Sequence, residues 1–403
     1  MKKTKHIFLL LFILLSFSSC SKWEDATATT INIPTNVVST YSQATPTMKP
    51  RITETIPTPT NVPESSIASG SIIENLEGRI LIYNGELQSY QIVQSDNMEN
   101  LKLPQDGTPV FAGFSASGVL AYAFDDPDFF LLNPDNNVRS ISINLDDFYD
   151  LLPEDSRIWG WNSMQWINQD LLYAQLLYTT EPDQVRKSIL SIVLTMEGVL
   201  QENLFQGIPD RLTESGVLFS PTLQQVIYAE GSTFYMKSMV NQEMIYTDKT
   251  FNDLFFSQKG KILEVIWSPD GRYAVYSNNG AFTRGIVIVD SEGNKQYINP
   301  EGYDFSGQCG FSWSSDSRYL TFVGADTNRG RDQFLYVYDV IEKRITSKIK
   351  TEEDLQTPII QWSPYHLQFV ISDWTYKGIY LYDLENGLKE QLVEKGKVFS
   401  WGK

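Results

Sequence analysis

Few residues of this chain are of the types that carry nucleophilic or metal chemistry. Cysteine occurs twice, as Cys20 and Cys309, and histidine occurs twice, as His6 and His366. His6 belongs to a segment that we expect to be removed, so a His-rich metal site or a relay with two histidines cannot be built. His366 falls in the turn of a repeat, where a surface histidine is expected. The sequence therefore predicts a protein without a catalytic site, metal or cofactor.

Two other groups of residues could be taken for a nucleophile site and a cation site, but their spacing does not fit either one. Ser115 is followed by a glycine that lies one residue too far for a Gly-x-Ser-x-Gly elbow, so we interpret it as part of a turn. Asp125, Asp126 and Asp128 could bind a hard cation, but their spacing lacks the ligand alternation of a calcium loop. A solvated acidic loop is the expected structure.

The first twenty residues have the order of a secretory signal. A lysine-rich start is followed by an apolar stretch, 7–15, and by small residues that end at Cys20. This arrangement resembles the lipobox of bacterial lipoproteins, with Phe17 where that family usually has leucine. The resemblance implies cleavage after residue 19 and a diacylglycerol group on the Cys20 thiol. The alternative is a plain secreted protein in which Cys20 is incidental.

The lipid would hold the exported chain on the outer side of a cell membrane, because two acyl chains give stable anchoring. Residues 20–70, rich in Thr, Ser and Pro, have too little apolar surface to fold and are predicted to be a disordered linker. Residues 71–403 remain for a folded domain. The formal net charge of −17 argues against a nucleic-acid partner.

A repeated pattern runs through the folded part. Residues 265–276 read VIWSPDGRYAVY and residues 311–322 read FSWSSDSRYLTF. Further copies cover 360–371 and 217–228, and degenerate copies cover 112–122 and 165–173. The repeat interval is therefore about 40 to 55 residues, as in one four-stranded blade per repeat. The anchor aromatics are Phe114, Trp166, Phe219, Trp267, Trp313, Trp362 and, near the end, Trp401.

This pattern resembles the repeats of TolB-like and WD-repeat-like propellers, and those in the propeller domain of prolyl oligopeptidases. The resemblance implies an all-β fold, a β-propeller. Residues 79–93 lack a Trp-Ser opening and residues 398–401 look like an opening without a continuation, so the two are expected to share one blade and close the ring. Seven blades result, with six blades plus an accessory hairpin as the alternative.

A propeller alone says little about function. We expect a scaffold for protein interactions in the cell envelope, with an envelope protein as partner. The alternative is a glycan or small molecule bound in the central funnel. Candidate binding residues are Arg329, Arg331 and Asp332 in a long hairpin, 325–332, with 179–187 as a similar loop. A tolerated loop insertion would give the same sequence signal.

Overall fold

The computed structural model describes residues 76–95, 97–101, 109, 111–124, 128–133, 138–143, 146–180, 188–206, 208, 217–230, 233–248, 265–280, 283–298, 305–326, 332–351, 358–373 and 377–403. All of them belong to one compact unit, 61–403. The boundaries predicted at residues 19 and 70 lie outside the described residues and stay predictions.

The described chain is almost entirely β-strand. The one α-helix in it, α1, spans Asp146–Tyr149, and a short 3-10 helix spans Glu202–Phe205. In chain order the strands are β1 (Arg79–Asn84), β2 (Ser89–Gln94), β3 (Asn97–Asn100), β4 (Phe111–Phe114), β5 (Leu120–Ala123), β6 (Phe129–Leu132), β7 (Val138–Ile141), β8 (Arg157–Trp166), β9 (Leu171–Thr179), β10 (Ser188–Thr195), β11 (Val217–Phe219), β12 (Gln225–Glu230), β13 (Thr233–Ser238), β14 (Met244–Asp248), β15 (Ile266–Trp267), β16 (Tyr273–Gly280), β17 (Thr283–Asp290), β18 (Lys295–Ile298), β19 (Phe305–Trp313), β20 (Tyr319–Asp326), β21 (Asp332–Asp339), β22 (Arg344–Lys350), β23 (Pro358–Trp362), β24 (Gln368–Asp373), β25 (Ile379–Asp383), β26 (Leu388–Val393) and β27 (Gly396–Gly402).

These strands form seven small antiparallel sheets, which we number as blades. Blades 1, 3, 4, 5 and 6 have the orders β4-β5-β6-β7, β11-β12-β13-β14, β15-β16-β17-β18, β19-β20-β21-β22 and β23-β24-β25-β26. Blade 2 contains β8, β9 and β10, and blade 7 has the order β27-β1-β2-β3. The structure is a seven-bladed β-propeller, as the repeats predicted, and the six-bladed alternative is wrong.

The first strand of each blade is the inner one. Successive inner strands touch, as β19 does with β23, β23 with β27, β27 with β4 and β4 with β8. In blades 1 to 6 the inner strand ends at a tight turn into the second strand, so these turns gather on one face, which we call the turn face. The inner strands begin on the opposite face, the mouth face.

The ring closes where the two ends of the propeller share blade 7. Strand β27 pairs with β1 so that Ile80 faces Trp401 and Tyr83 faces Lys397. The Trp401 indole donates a 3.0 Å hydrogen bond to the Glu77 carbonyl. The Arg79 guanidinium donates to the carbonyls of Lys403 and Gly118, and the second of these belongs to blade 1. The predicted exchange of strands between the two ends is confirmed.

The anchor tryptophans join neighbouring blades. In three blades the indole Nε1 donates to the carbonyl that precedes the anchor of the blade before it. The pairs are Trp166 with Gly113 at 2.8 Å, Trp267 with Leu218 at 3.1 Å and Trp362 with Ser312 at 3.3 Å. Since each bond crosses between two sheets, the repeated aromatic sets the spacing and register of adjacent blades.

The Ser-x-Asp part of the repeat makes a tight turn between the first two strands of the blade. Ser268 is fully buried, and its hydroxyl donates to Asp270 at 2.7 Å and accepts the backbone N–H of Tyr273 at 3.0 Å. Gly271 has φ of 71°, a conformation that glycine adopts without strain. The turn is thus held by hydrogen bonds that are local in sequence.

The core lies between the blades. Each sheet buries both of its faces, as where Val275 and Ile286 of blade 4 pack with Leu320 and Tyr336 of blade 5. Because no blade could bury these surfaces alone, the fold depends on the complete ring.

Candidate functional surfaces

The turn face is a continuous polar surface whose turns are bonded to one another. The backbone N–H of Asp270 in blade 4 donates to the Ser317 hydroxyl of blade 5 at 3.0 Å. His366 Nε2 of blade 6 lies 3.3 Å from Glu77 Oε2 of blade 7, and the histidine side chain is 40% exposed. His366 is therefore a surface histidine in a turn, as predicted. These bonds occupy polar groups that would otherwise meet a ligand.

Ser115 also lies in one of these turns. It is 3% exposed, and its hydroxyl lies 2.9 Å from the Ser117 hydroxyl and accepts the Val119 backbone N–H at 3.1 Å. This is the structural role that the sequence indicated. Within the described ranges, no three His, Cys, Asp or Glu side chains are grouped to hold a metal ion.

Lys397, on the inner strand β27, is a buried cation that the sequence analysis did not single out. Its side chain is 4% exposed, and Nζ lies 4.5 Å from the centre of the Phe399 ring. Burial lowers the pKa of the Lys397 ammonium from 10.5 to about 7. A neutral amine is a nucleophile, but this one is too enclosed to meet a substrate, so we assign it a structural role.

A second buried polar cluster joins blades 3 and 4. The Tyr276 hydroxyl donates to the Asp248 carboxylate at 2.5 Å, and the Tyr246 hydroxyl lies 3.3 Å from the same oxygen. The two hydroxyls are 3.1 Å apart. Burial raises the pKa of the Tyr276 phenol, so it stays protonated and keeps donating. The three groups satisfy each other, which is the arrangement of a structural network.

A small open groove, with a cavity volume of about 30 Å³, lies between blades 5 and 6. Gly378 occupies the β25 side of the groove, and Asp373, fully buried, lies in its lining. The Lys389 ammonium is 4.4 Å from the centre of the Tyr380 ring and 5.7 Å from that of Tyr382. The protein's own lysine therefore occupies the aromatic wall to which a bound cation would be attracted.

Blade 2 has the longest inner strand of the described propeller. Strand β8 has ten residues, β19 has nine and β27 has seven, whereas β4, β11, β15 and β23 have two to five. The first residues of β8, together with α1, form a segment, 146–159, that we call the lip. Trp159 in the lip is 42% exposed, while Trp161, two residues further on, is 3% exposed. Trp161 is therefore part of the blade core, whereas Trp159 lies at the surface.

The residues predicted for lipidation and binding are not tested by the structure. Cys20, Arg329 and Arg331 lie outside the described residues. Asp332 is the first residue of β21 and pairs with Asp326 on β20, so the hairpin that would carry the arginines is present at its base. Asp125 and Asp126 also lie outside the described residues. No helix in the described part of the chain is long and apolar enough to cross a membrane.

Comparison with known proteins assigns no function to this chain. No protein family matches the sequence, and no curated protein matches it either. Among solved structures, a catalytically inactive virginiamycin B lyase from Staphylococcus aureus is 15% identical, with 73% of this chain and 87% of the lyase covered and a TM-score of 0.43. TolB from Acinetobacter baumannii is 14% identical, with 78% of each chain covered and a TM-score of 0.40. A puromycin-hydrolyzing peptidase from Mycobacterium tuberculosis is 12% identical, with 76% of this chain and 50% of the peptidase covered and a TM-score of 0.49.

Proposed function

We propose that this chain is an exported lipoprotein, anchored to a cell membrane through Cys20, whose propeller is a scaffold for protein interactions in the cell envelope. The observation that carries the proposal is the combination of a ring closed by its own ends with exposed apolar side chains on the mouth face. Such a platform is rigid, and its exposed Trp159 is held in place by a hydrogen bond to the Thr179 hydroxyl. The lipid and the linker would hold this platform near other envelope proteins.

A second candidate function is the binding of a glycan or small molecule in the central funnel. The residues just before the anchors support it, since Gln165, Ser312 and Gln361 are polar and at least partly exposed on inner strands. The described inner strands contribute two charged residues, Arg157 and Lys397, and no carboxylate. A site for sugars usually combines aromatic rings with carboxylates, so we rank this function second.

The lipid anchor is tested by replacing its cysteine. We expect Cys20→Ser to move the protein from the membrane fraction to the soluble fraction and to abolish incorporation of a labelled fatty acid, because the thiol is the acceptor. Cys309→Ser is the matched control and should keep both the label and the membrane fraction. Retention of label by Cys20→Ser would show that another residue is the acceptor.

The scaffold function is tested by crosslinking in living cells followed by capture of the full chain and mass spectrometry. We expect one envelope protein to be enriched over a Cys20→Ser sample, which would not be held near the membrane. If capture is nonspecific while an immobilised glycan panel retains the protein, the funnel becomes the leading site and the scaffold proposal fails.

A further inference from the structure

The lip is a rigid part of the propeller surface. Phe148 in α1 is 1% exposed and Leu152 is 9% exposed, and both belong to the core cluster that contains Trp161 and lies between blades 1 and 2. At its far end the lip becomes strand β8, where Arg157 pairs with Thr179. Because both ends are fixed, the exposed side chains of the lip are held in place before any partner arrives, which lowers the entropy cost of binding.

Three large apolar side chains of the lip face solvent. Tyr149 is 43% exposed, Leu151 is 40% exposed and Trp159 is 42% exposed, all within eleven residues of sequence. The Trp159 indole donates a 3.1 Å hydrogen bond to the Thr179 hydroxyl, and the Arg157 guanidinium lies 4.9 Å from its ring centre. Exposed tryptophan and tyrosine on a rigid support are typical of the anchor residues of protein interfaces.

The same segment is strongly acidic. It carries five carboxylates and one arginine, a net charge of −4, and every one of the five acidic residues is exposed. They are Asp146, Asp147, Asp150, Glu154 and Asp155. Exposed apolar side chains that alternate with carboxylates along one short segment complement a surface of opposite charge that also carries apolar groups.

We propose that the lip binds a cationic amphipathic segment of a partner protein, whose apolar side chains pack on Tyr149, Leu151 and Trp159 and whose Lys or Arg side chains meet the carboxylates. A second copy of this chain would bring the same negative charge to the contact and would be repelled. A sugar could stack on Trp159 but would gain little from so many carboxylates. The inference rests on the proposed interaction function and names the surface that performs it.

The test uses the full chain in phosphatidylcholine nanodiscs, with its tryptophans replaced by 5-fluorotryptophan. The probe is a blocked nonapeptide of leucine and lysine, compared with the same peptide carrying glutamate in place of lysine. We expect the lysine peptide to shift the fluorine resonance of Trp159, which Trp159→Phe identifies, and the glutamate peptide to leave it in place. Binding should weaken as salt is raised, because exposed charges are screened. Empty nanodiscs give the background.

Two lip variants separate the apolar and the ionic contributions. We expect Tyr149→Ser with Leu151→Ser to raise the Kd of the lysine peptide about tenfold or more, as loss of anchor residues does. We expect Asp150→Asn with Glu154→Gln and Asp155→Asn to raise the Kd of the lysine peptide by a similar factor. The Kd of this variant should also depend less on salt. These five side chains are exposed, so both variants should fold. Circular dichroism and the thermal midpoint check this.

Matched controls lie elsewhere on the surface. Tyr365→Ser removes an aromatic side chain that is 48% exposed on the turn face and should leave the Kd unchanged. Glu243→Gln with Glu292→Gln and Glu385→Gln removes three exposed carboxylates from other turns and should have little effect.

The proposal is overturned if both lip variants bind the lysine peptide as tightly as the native protein, if the glutamate peptide binds equally well, or if soluble oligosaccharides shift Trp159 while the lysine peptide does not. Failure of this inference is distinguishable from failure of the scaffold function. If the crosslinked envelope protein is still captured by both lip variants, the scaffold function stands and another surface performs it.

Discussion

Lys397 shows how one residue changes character with its surroundings. In the sequence it is a lysine near the end of the chain, with nothing to set it apart from Lys395 two residues earlier. In the propeller its side chain is enclosed against the Phe399 ring, and its strand neighbour is Tyr83. Burial disfavours the charged ammonium, which is the cause of its lowered pKa. The inner strand of the closing blade thus carries a group that makes stability depend on pH.

The sign of this dependence follows from proton binding. In the unfolded chain the Lys397 amine is protonated up to about pH 10, its ordinary range, whereas in the folded protein it loses its proton near pH 7. Between these values the unfolded state binds more protons, so the free energy of unfolding rises with pH through this window, by at most about 1.4 kcal/mol per pH unit. Below pH 7 this contribution to the slope is absent.

We expect Lys397→Met to raise stability at pH 7, because it removes the desolvation cost, and to flatten the rise between pH 7 and pH 9.5. Urea unfolding at several pH values measures both effects. Lys395→Met is the control. Because Lys395 is exposed, this substitution should leave the slope of unfolding free energy against pH unchanged. A Lys397→Met protein with the native slope would mean that other groups cause it.

At the scale of the element, the repeat is a turn and two strands held by one buried serine. In blade 5 the Ser314 hydroxyl donates to Asp316 at 2.6 Å and accepts the Tyr319 N–H at 2.8 Å, and Ser314 is 2% exposed. These contacts are local in sequence, so residue type and spacing predict them. Residue type did not predict the length of β8. The length of an inner strand depends on the adjacent strands and blades that pack against it.

We expect Ser314→Ala to lower the free energy of unfolding by about 1 to 3 kcal/mol, since it leaves a buried N–H and a carboxylate without their hydroxyl partner. Ser315→Ala, one residue later and exposed, should change it by no more than about 0.5 kcal/mol. Equilibrium unfolding in urea compares the two. Equal effects would show that the serine hydroxyl does not hold the turn.

At the scale of the whole molecule, the propeller depends on a contact between strands that lie more than 300 residues apart in sequence. Trp401 is 6% exposed and belongs to the cluster that joins Ile80 and Ile82 of β1 to Val370 and Leu381 of blade 6. Because the last strand reaches β1 only through hydrogen bonds and packing, the blade 7 junction is where the ring can open.

We expect Trp401→Ala to lower the free energy of unfolding by about 3 to 5 kcal/mol, because it removes a large buried aromatic side chain. Amide exchange should accelerate first in β1 and β2, because they lose the inner strand of their blade. Trp159→Ala, at an exposed tryptophan, is the control and should leave exchange in blade 7 unchanged. If Trp401→Ala accelerates exchange evenly around the ring, closure is not the weakest point.

The sequence alone determined the architecture. The Trp-Ser-x-Asp pattern, its interval and the incomplete repeats at the two ends predicted a propeller closed by its own ends, with seven blades preferred and six left open until the structure showed seven sheets. The Ser-x-Asp turn forms through contacts within one repeat, whereas the anchor tryptophan bonds to the preceding blade and is recognised by its type and interval. The physical chemistry of the turn is the same in every blade, so degenerate copies such as residues 112–122 could still be recognised.

Only the tertiary structure decided which side chains face a partner. Trp159 and Trp161 are the same residue type on one strand, two positions apart, and simple alternation would place them on the same side. Register shifts between Ile158 and Gly160 and between Trp161 and Ser163 break that alternation. One indole is therefore exposed on the lip and the other is buried between blades 1 and 2. Burial is a property of the neighbouring blades, which no local pattern records.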